Sequence, residues 1–175
     1  SSMSRSLTEG ELLQLHAGHS MWISEKQYNQ IIEQKTACLF AACSEAGAAS
    51  TGATMRQMTA MRHYGLHLGM CFQIKDDIFD YTPNAQIGKP TLNDIREGKF
   101  TLPLIHALES IHANEASMIL ESVKKRKFTE DFFYNIGSLV ARAGGIEFAE
   151  QRMAYYKAEA ERALSIFPDS EIKQA

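Results

Sequence analysis

The stretch Gly69-Met-Cys-Phe-Gln-Ile-Lys-Asp-Asp-Ile-Phe-Asp80 constrains this chain more than any other: a hydrophobic segment with helical spacing that ends in three carboxylates shortly before Pro83. A helix C-terminus carries roughly half a negative charge, so Asp76, Asp77 and Asp80 in the last turns oppose the macrodipole and repel one another. Met70, Cys71, Phe72, Ile74, Ile78 and Phe79 surround them on nearly every side, which predicts a helix covered by several neighbours. Carboxylates in such a place need partners or ions.

At about 100° per residue, Gly69, Gln73, Asp76 and Asp80 fall in one narrow stripe, with Asp77 at its edge. Two carboxylates four apart can share a metal. Hard oxygen ligands suit Mg²⁺, which keeps several waters and takes one or two carboxylates together with substrate phosphates. The ligand this predicts is a diphosphate held through magnesium; the plain alternative is a solvated acidic face.

The chain has 175 residues, enough for one domain with a real core, and its 45% hydrophobic content is that of an ordinary globular protein. With 18 basic against 21 acidic residues the formal charge is −3, which gives no footprint for nucleic acid or an anionic membrane. No apolar run reaches the ~20 residues needed to span a bilayer and no signal-peptide core is present, so a cytoplasmic protein is expected. Cys38, Cys43 and Cys71 have no zinc-ligand spacing and are read as reduced thiols.

The rest of the chain reads as helix after helix. Thr8 to Leu15 predicts a short helix whose abrupt start suggests a chain beginning inside a larger architecture, and His16 and His19 beyond it are read as solvent-facing. Ser24-Glu-Lys-Gln27 is a capping box opening a helix to about Ala49. On it Tyr28, Ile32, Lys35 and Leu39 share a face, so Lys35 interrupts an apolar stripe; it either snorkels or clamps a phosphate. A helix from Thr54 to Tyr81 carries the acids, with Met58, Met61, Gly65, Leu68 and Phe72 as its expected buried stripe. Gly65 and Gly69 each cost ~1 kcal/mol in a helix interior, which predicts close packing or space kept for a ligand. His63 and His67 lack the intervening Glu of a zinc-binding HExxH and are read as structural.

Residues 82 to 98 are punctuated by Pro83, Gly88, Pro90 and Gly98 and predict a loop whose Lys89, with Arg96 and then Lys99, can fold back towards the acids. Further helices are expected from Thr101 to His112, from Asn114 to the basic Lys124-Lys-Arg-Lys127, from Thr129 to Ala143, and from Ile146 to Phe167, closed by Pro168. The fold class is all-α.

Gly10-Glu11-Leu-Leu-Gln14, Lys35-Thr36-Ala37, Phe72-Gln73-Ile-Lys-Asp76-Asp77-Ile-Phe-Asp80, Gly88-Lys89-Pro90, Asp94 and Gly98-Lys-Phe-Thr-Leu-Pro103 together resemble the C-terminal portion of the trans-isoprenyl (polyprenyl) diphosphate synthases. The resemblance covers about residues 9 to 108 and implies an antiparallel helix bundle of the isoprenoid synthase type, present here as a partial fold. Asp76, Asp77 and Asp80 look like the second aspartate-rich motif, which binds Mg²⁺ bridging an allylic diphosphate. Lys35 and Lys89 resemble the lysines on that diphosphate, Thr36 and Gln73 stand where polar groups flank the reacting allylic carbons, and Phe72 would contribute to a dry apolar wall. Asp94 and Lys99 are weaker assignments. The implied reaction is ionisation of the allylic diphosphate, attack by isopentenyl diphosphate, and proton loss with pyrophosphate as base; metal ions and lysines serve it because the leaving group gains charge as its C–O bond breaks.

The sequence departs from the family pattern in carrying no first DDxxD, none of the arginines after it and no upstream site for isopentenyl diphosphate. Residues 1–175 are therefore expected to be a C-terminal portion lacking the N-terminal helices and the last ones, inactive alone and restored by the missing segment. A homodimer is the family expectation. Two other readings stand beside this one. The first is a non-catalytic partner subunit of a heteromeric synthase, against which the retained aspartates and lysines argue. The second is a terpene cyclase, whose second metal motif differs from this DDxxD. Ser20-Met-Trp-Ile-Ser24 and the helix after it resemble bacterial medium-to-long-chain synthases, while product length depends on residues this chain does not contain.

Overall fold

The structure, a computed structural model, describes residues 8–10, 12, 23–82 and 91–174. His16, His19 and the Gly88-Lys89-Pro90 element, including the expected clamp Lys89, lie outside the described residues. Residues 8–10 and 12 are helical. The remaining order is α1 Glu25–Ile32, a π-helical turn Glu33–Ala37, α2 Cys38–Ser50, α3 Met55–Phe79, α4 Asn93–Arg96, α5 Leu102–Glu109, α6 Ala113–Lys124, α7 Glu130–Arg142, α8 Gly145–Ala163, a 3₁₀ turn Leu164–Ile166 and α9 Glu171–Gln174. No strand occurs among the described residues, and the bundle is all-α.

The capping box is made as written. Gln27 donates its N–H to the Ser24 hydroxyl at 3.3 Å while its own side chain accepts from the Ser24 N–H at 2.9 Å, and Thr54 and Gln57 repeat the arrangement at the head of α3. Instead of one regular helix from Ser24 to Ala49, however, the rod is interrupted by the wide turn at Glu33–Ala37, which places Lys35 and Thr36 in π geometry. The last long helix ends at Ala163 with a 3₁₀ turn, and a short helix follows Pro168. The loop expected over 82–98 contains one helical turn, α4.

α5 is the hub. Leu102, Pro103, Leu104, Ile105, Ala107 and Leu108 are all buried along its eight residues, so it is covered on every side. Leu104, Ala107 and Leu108 join a core with Leu92, Ile95, Ala116, Leu120, Val123, Ile136, Leu139 and Val140. Leu102 and Ile105 join a second with Ile23, Tyr28, Ile32, Ala37, Met70, Ile74, Ile78 and Ala149. The acid-bearing helix α3 belongs to this second core, packed between α2 and α8.

Its buried face differs from the expected one. Gly65, Gly69, Met70, Ile74, Asp77 and Ile78 are buried, whereas Leu68 and Phe72 are 39% and 57% exposed. Polar and apolar positions are mixed around the whole helix, so periodicity alone could not select a face. The glycines could: a Cβ on Gly65 would lie 2.4 Å from the Phe40 carbonyl oxygen, and one on Gly69 would lie 2.6 Å from Ala37 Cα. Of the two reasons offered for them by the sequence, close packing is the one observed.

Elsewhere the helix ends follow their chemistry. The Thr129 hydroxyl accepts from the Phe132 N–H at 3.1 Å at the head of α7. The basic run Lys124–Lys127 closes α6, with Arg126 left-handed at φ 49°. Cys38 and Cys71 are half-buried, Cys43 is exposed, and all three are free thiols. His67 stacks on Tyr156 of α8 at 6.0 Å between ring centres, a packing role.

Candidate active site at the end of the acid-bearing helix

The three aspartates occupy three different environments. Asp76 is exposed and makes no ion pair or hydrogen bond among the described residues. Asp80, the C-cap of α3, is half-buried: its Oδ1 accepts the Asn93 N–H at 3.0 Å and its Oδ2 the Asp94 N–H at 3.1 Å, while its carbonyl accepts the Leu92 N–H at 2.8 Å. The carboxylate thus satisfies the opening amides of α4, where Leu92, left-handed at φ 61° and buried, supplies no side-chain cap of its own.

Asp77 points into the core and is only 4% exposed. Its Oδ2 accepts the Tyr28 hydroxyl at 2.6 Å and its Oδ1 the Gln73 side-chain N–H at 2.9 Å. Burial pushes its carboxyl up to about 7; the two hydrogen bonds pull the other way, and Asp94 and Asp76 add to the rise. Burial, then the Asp77 charge, raises the Tyr28 phenol well above its usual value, so it remains a protonated donor. Sequence spacing set Asp77 beside the metal-binding stripe; in the structure both its oxygens are engaged inward.

Across the helix pair, Thr36 Oγ1 donates to Gln73 Oε1 at 3.0 Å, which ties the π-helical turn to α3. Lys35, half-buried, is the residue before it on the same turn. Thr36, Gln73 and Asp77 are therefore directly linked. Phe72 stands beside them with its ring 5.4 Å from that of Phe40, and Phe79, 56% exposed, lies under Lys75 at 4.8 Å. On α4, Asp94 is raised by burial and then by Asp80, with Lys99 at 3.8 Å opposing the shift. Arg96 covers the Phe133 ring at 3.7 Å and so fastens α4 to α7. Arg96 and Lys99 are thus engaged by Phe133, Asp94 and Glu97, rather than by the aspartates of α3.

Tyr28 is the site residue that sequence reading missed, because it counted as one more apolar position on α1. A buried phenol always needs a partner, and this one shares a stripe with Lys35, which was the available signal.

No three His, Cys, Asp or Glu side chains converge as a metal cage among the described residues. Mg²⁺ does not require one, since it binds through one or two carboxylates plus phosphate and water oxygens. Asp76, uncommitted and at a helix end that needs positive charge, fits such an ion, and each Asp80 oxygen retains a lone pair beyond its N–H bond. Asp77, 4% exposed with both oxygens turned into the core, does not fit without swinging out of it.

Comparison with known proteins agrees with this architecture. The polyprenyl synthetase family model matches residues 1–135. The octaprenyl diphosphate synthase of Haemophilus influenzae is 36% identical over 173 residues, covering 97% of this chain and 51% of that protein. The all-trans-nonaprenyl-diphosphate synthase (geranyl-diphosphate specific) of Rhodobacter capsulatus is 35% identical over 170 residues, covering 97% of this chain and 51% of that protein. Among solved structures, the polyprenyl synthase of Caulobacter crescentus complexed with calcium and isoprenyl diphosphate superposes with a TM-score of 0.90 at 39% identity, over 99% of this chain and 53% of that one. The geranylgeranyl pyrophosphate synthase of Bacteroides thetaiotaomicron gives 0.89 at 42% identity, over 98% and 57%. The chain spans about half the length of the curated relatives it matches. On sequence and on fold it belongs to the polyprenyl synthetase family.

Proposed function

We propose that this chain supplies the diphosphate-ionising half of a Mg²⁺-dependent prenyltransferase that joins isopentenyl diphosphate to an allylic diphosphate, acting with polypeptide equivalent to the other half of its relatives. The observation that carries the reading is the uncommitted Asp76 on the last turns of α3, where Gln73 is bonded to Thr36 of the neighbouring turn that also carries Lys35. A Mg²⁺ held at Asp76, with Asp80 beside it, would neutralise charge on the departing pyrophosphate. Lys35 would bind that group as a point charge, with Lys89 as a second candidate. Thr36 and Gln73 present oxygen dipoles where positive charge develops on the allylic carbons. Phe72 and Phe40 form part of an apolar wall that excludes water from the cation. Attack by the isopentenyl double bond and loss of a proton complete the extension. Among the described residues no helix is long and apolar enough to cross a membrane.

The test is incorporation of labelled isopentenyl diphosphate by the protein together with its complementary half. Label should enter a longer prenyl diphosphate only with Mg²⁺ present, and Asp76→Ala should lower kcat by ~100-fold or more. Full activity in Asp76→Ala, or hydrocarbon formed from the allylic diphosphate alone, would refute the proposal.

A further inference from the structure

The Thr36–Gln73–Asp77–Tyr28 chain has a fixed polarity. An amide side chain can present either end to a neighbour, and here both Asp77 oxygens accept, one from the Tyr28 hydroxyl and one from the Gln73 NH₂ group. Asp77 Oδ1, 2.9 Å from the Gln73 side chain, therefore demands the NH₂ end and turns Gln73 Oε1 toward Thr36, whose hydroxyl donates to it at 3.0 Å. The other Asp77 oxygen is held by the Tyr28 hydroxyl at 2.6 Å, from a helix that lies 49 positions earlier in the chain. Tyr28 is 3% exposed, so this bond has no competition from bulk water. Without it Asp77 can rotate away, and Gln73 is then free to turn its NH₂ end toward Thr36.

We infer that Tyr28 is a positioning residue for the reacting end of the site, acting through Asp77 to keep the Gln73 amide oxygen turned toward Thr36. The inference rests on the prenyltransferase reading. An amide oxygen on the Thr36 side has a lone pair left to stabilise an allylic cation there, whereas an NH₂ group on that side opposes it, so the consequence falls on the chemical step. It does not fall on diphosphate binding, because Tyr28 and Asp77 are both buried in the core.

The test uses Tyr28→Phe, which removes one oxygen and keeps the ring in the core, and Asp77→Asn, an isosteric change. With its oxygen still accepting from Tyr28, Asn would aim its own NH₂ at Gln73 and invert the amide. In Tyr28→Phe, kcat should fall about 10-fold, the low end for losing an outer partner of a site residue. KM for both substrates, and the Kd for inorganic pyrophosphate with Mg²⁺ by calorimetry, should stay within about two-fold. Asp77→Asn should lose more kcat than Tyr28→Phe. Independently of turnover, the Gln73 side-chain NH₂ resonances should be protected from exchange in the unmutated protein and lose that protection in Tyr28→Phe. If the unmutated protein, assayed together with its complementary half, does not turn over, the prenyltransferase reading falls and this inference with it. If it turns over and either variant keeps full kcat, or Gln73 protection is unchanged, or KM and kcat worsen in parallel, the inference alone falls.

Discussion

Alanine at Gly65 should destabilise the protein although alanine is the better helix former. A Cβ there meets the Phe40 carbonyl oxygen at 2.4 Å, the Ser44 hydroxyl at 2.5 Å and the Phe40 carbonyl carbon at 2.8 Å, against an ordinary contact of 3.4 Å or more. The serine can rotate; the carbonyl belongs to the α2 backbone and cannot. α2 and α3 must then part by about 1 Å, enough to forfeit a quarter to a half of the dispersion energy along the seam. At so close an approach to backbone, overpacking falls in the upper part of its usual range, ~2–3 kcal/mol, and the gain in helix propensity returns ~1 kcal/mol, so the balance is a loss of about 1–2 kcal/mol. At this chain length that corresponds to a Tm lower by about 2–8 °C. Gly137 is the matched control. It also lies inside a helix, α7, but a Cβ there meets nothing within 4 Å, so Gly137→Ala should raise Tm by about 2–4 °C. Thermal and urea unfolding followed at 222 nm measure both. A Gly65→Ala protein as stable as the parent, or a destabilised Gly137→Ala, would refute the close-approach argument.

Other outcomes follow from the same geometry. In metal-free buffer Asp80→Ala should lose about 0.5–2 kcal/mol and speed hydrogen exchange at the Asn93 and Asp94 amides, because it uncaps α4; Asp76→Ala should gain a few tenths of a kcal/mol by relieving the helix dipole, and equal effects of the two would contradict their separate roles. Asp77, raised to about 7 by burial from an unfolded value near ~4, favours folding fully below about pH 4 and loses that contribution as pH rises through about 7, with Asp94 shifted in the same direction. Without metal, unfolding midpoints should therefore decline from pH 5 to 8, and Asp77→Asn should flatten the decline; identical slopes would be inconsistent with the buried carboxylate. Arg126→Gly should stabilise by ~1 kcal/mol in urea titrations, since Arg126 is left-handed between the N–H bonds of Arg126 to Val123 and Lys127 to Ser122, both 3.0 Å.

The sequence disclosed whatever is encoded locally. Ser24 with Gln27, Thr129 before its acidic first turn, and Pro103 at the head of α5 each mark a helix start that the structure keeps. The crowding of Asp76, Asp77 and Asp80 at the end of an oily helix was likewise visible. The division of labour among them was not, since it depends on Tyr28 and on the Asn93 and Asp94 amides, brought in from distant segments. The buried face of α3 was misjudged for a related reason: Leu68 and Phe72 have the spacing of a core stripe, yet α2 and α8 cover the sides bearing Gly65, Gly69, Met70 and Ile74. No glycine or proline announces the wide turn at Glu33–Ala37, because tertiary packing selects it.

That turn makes the length of its segment as consequential as its composition. A π turn holds one residue more than regular α-helix would, so deleting any one of residues 33–37 would let the rod close into ordinary α-helix. Because the wide turn already absorbs the extra residue, the helix on either side would keep its faces, and Tyr28 would stay over Asp77. The change would fall on the turn itself, where the backbone carrying Lys35 and Thr36 would tighten and the bond from Thr36 to Gln73 would be re-aimed or lost. A single-residue gap would thus spare the core and strike the edge of the site.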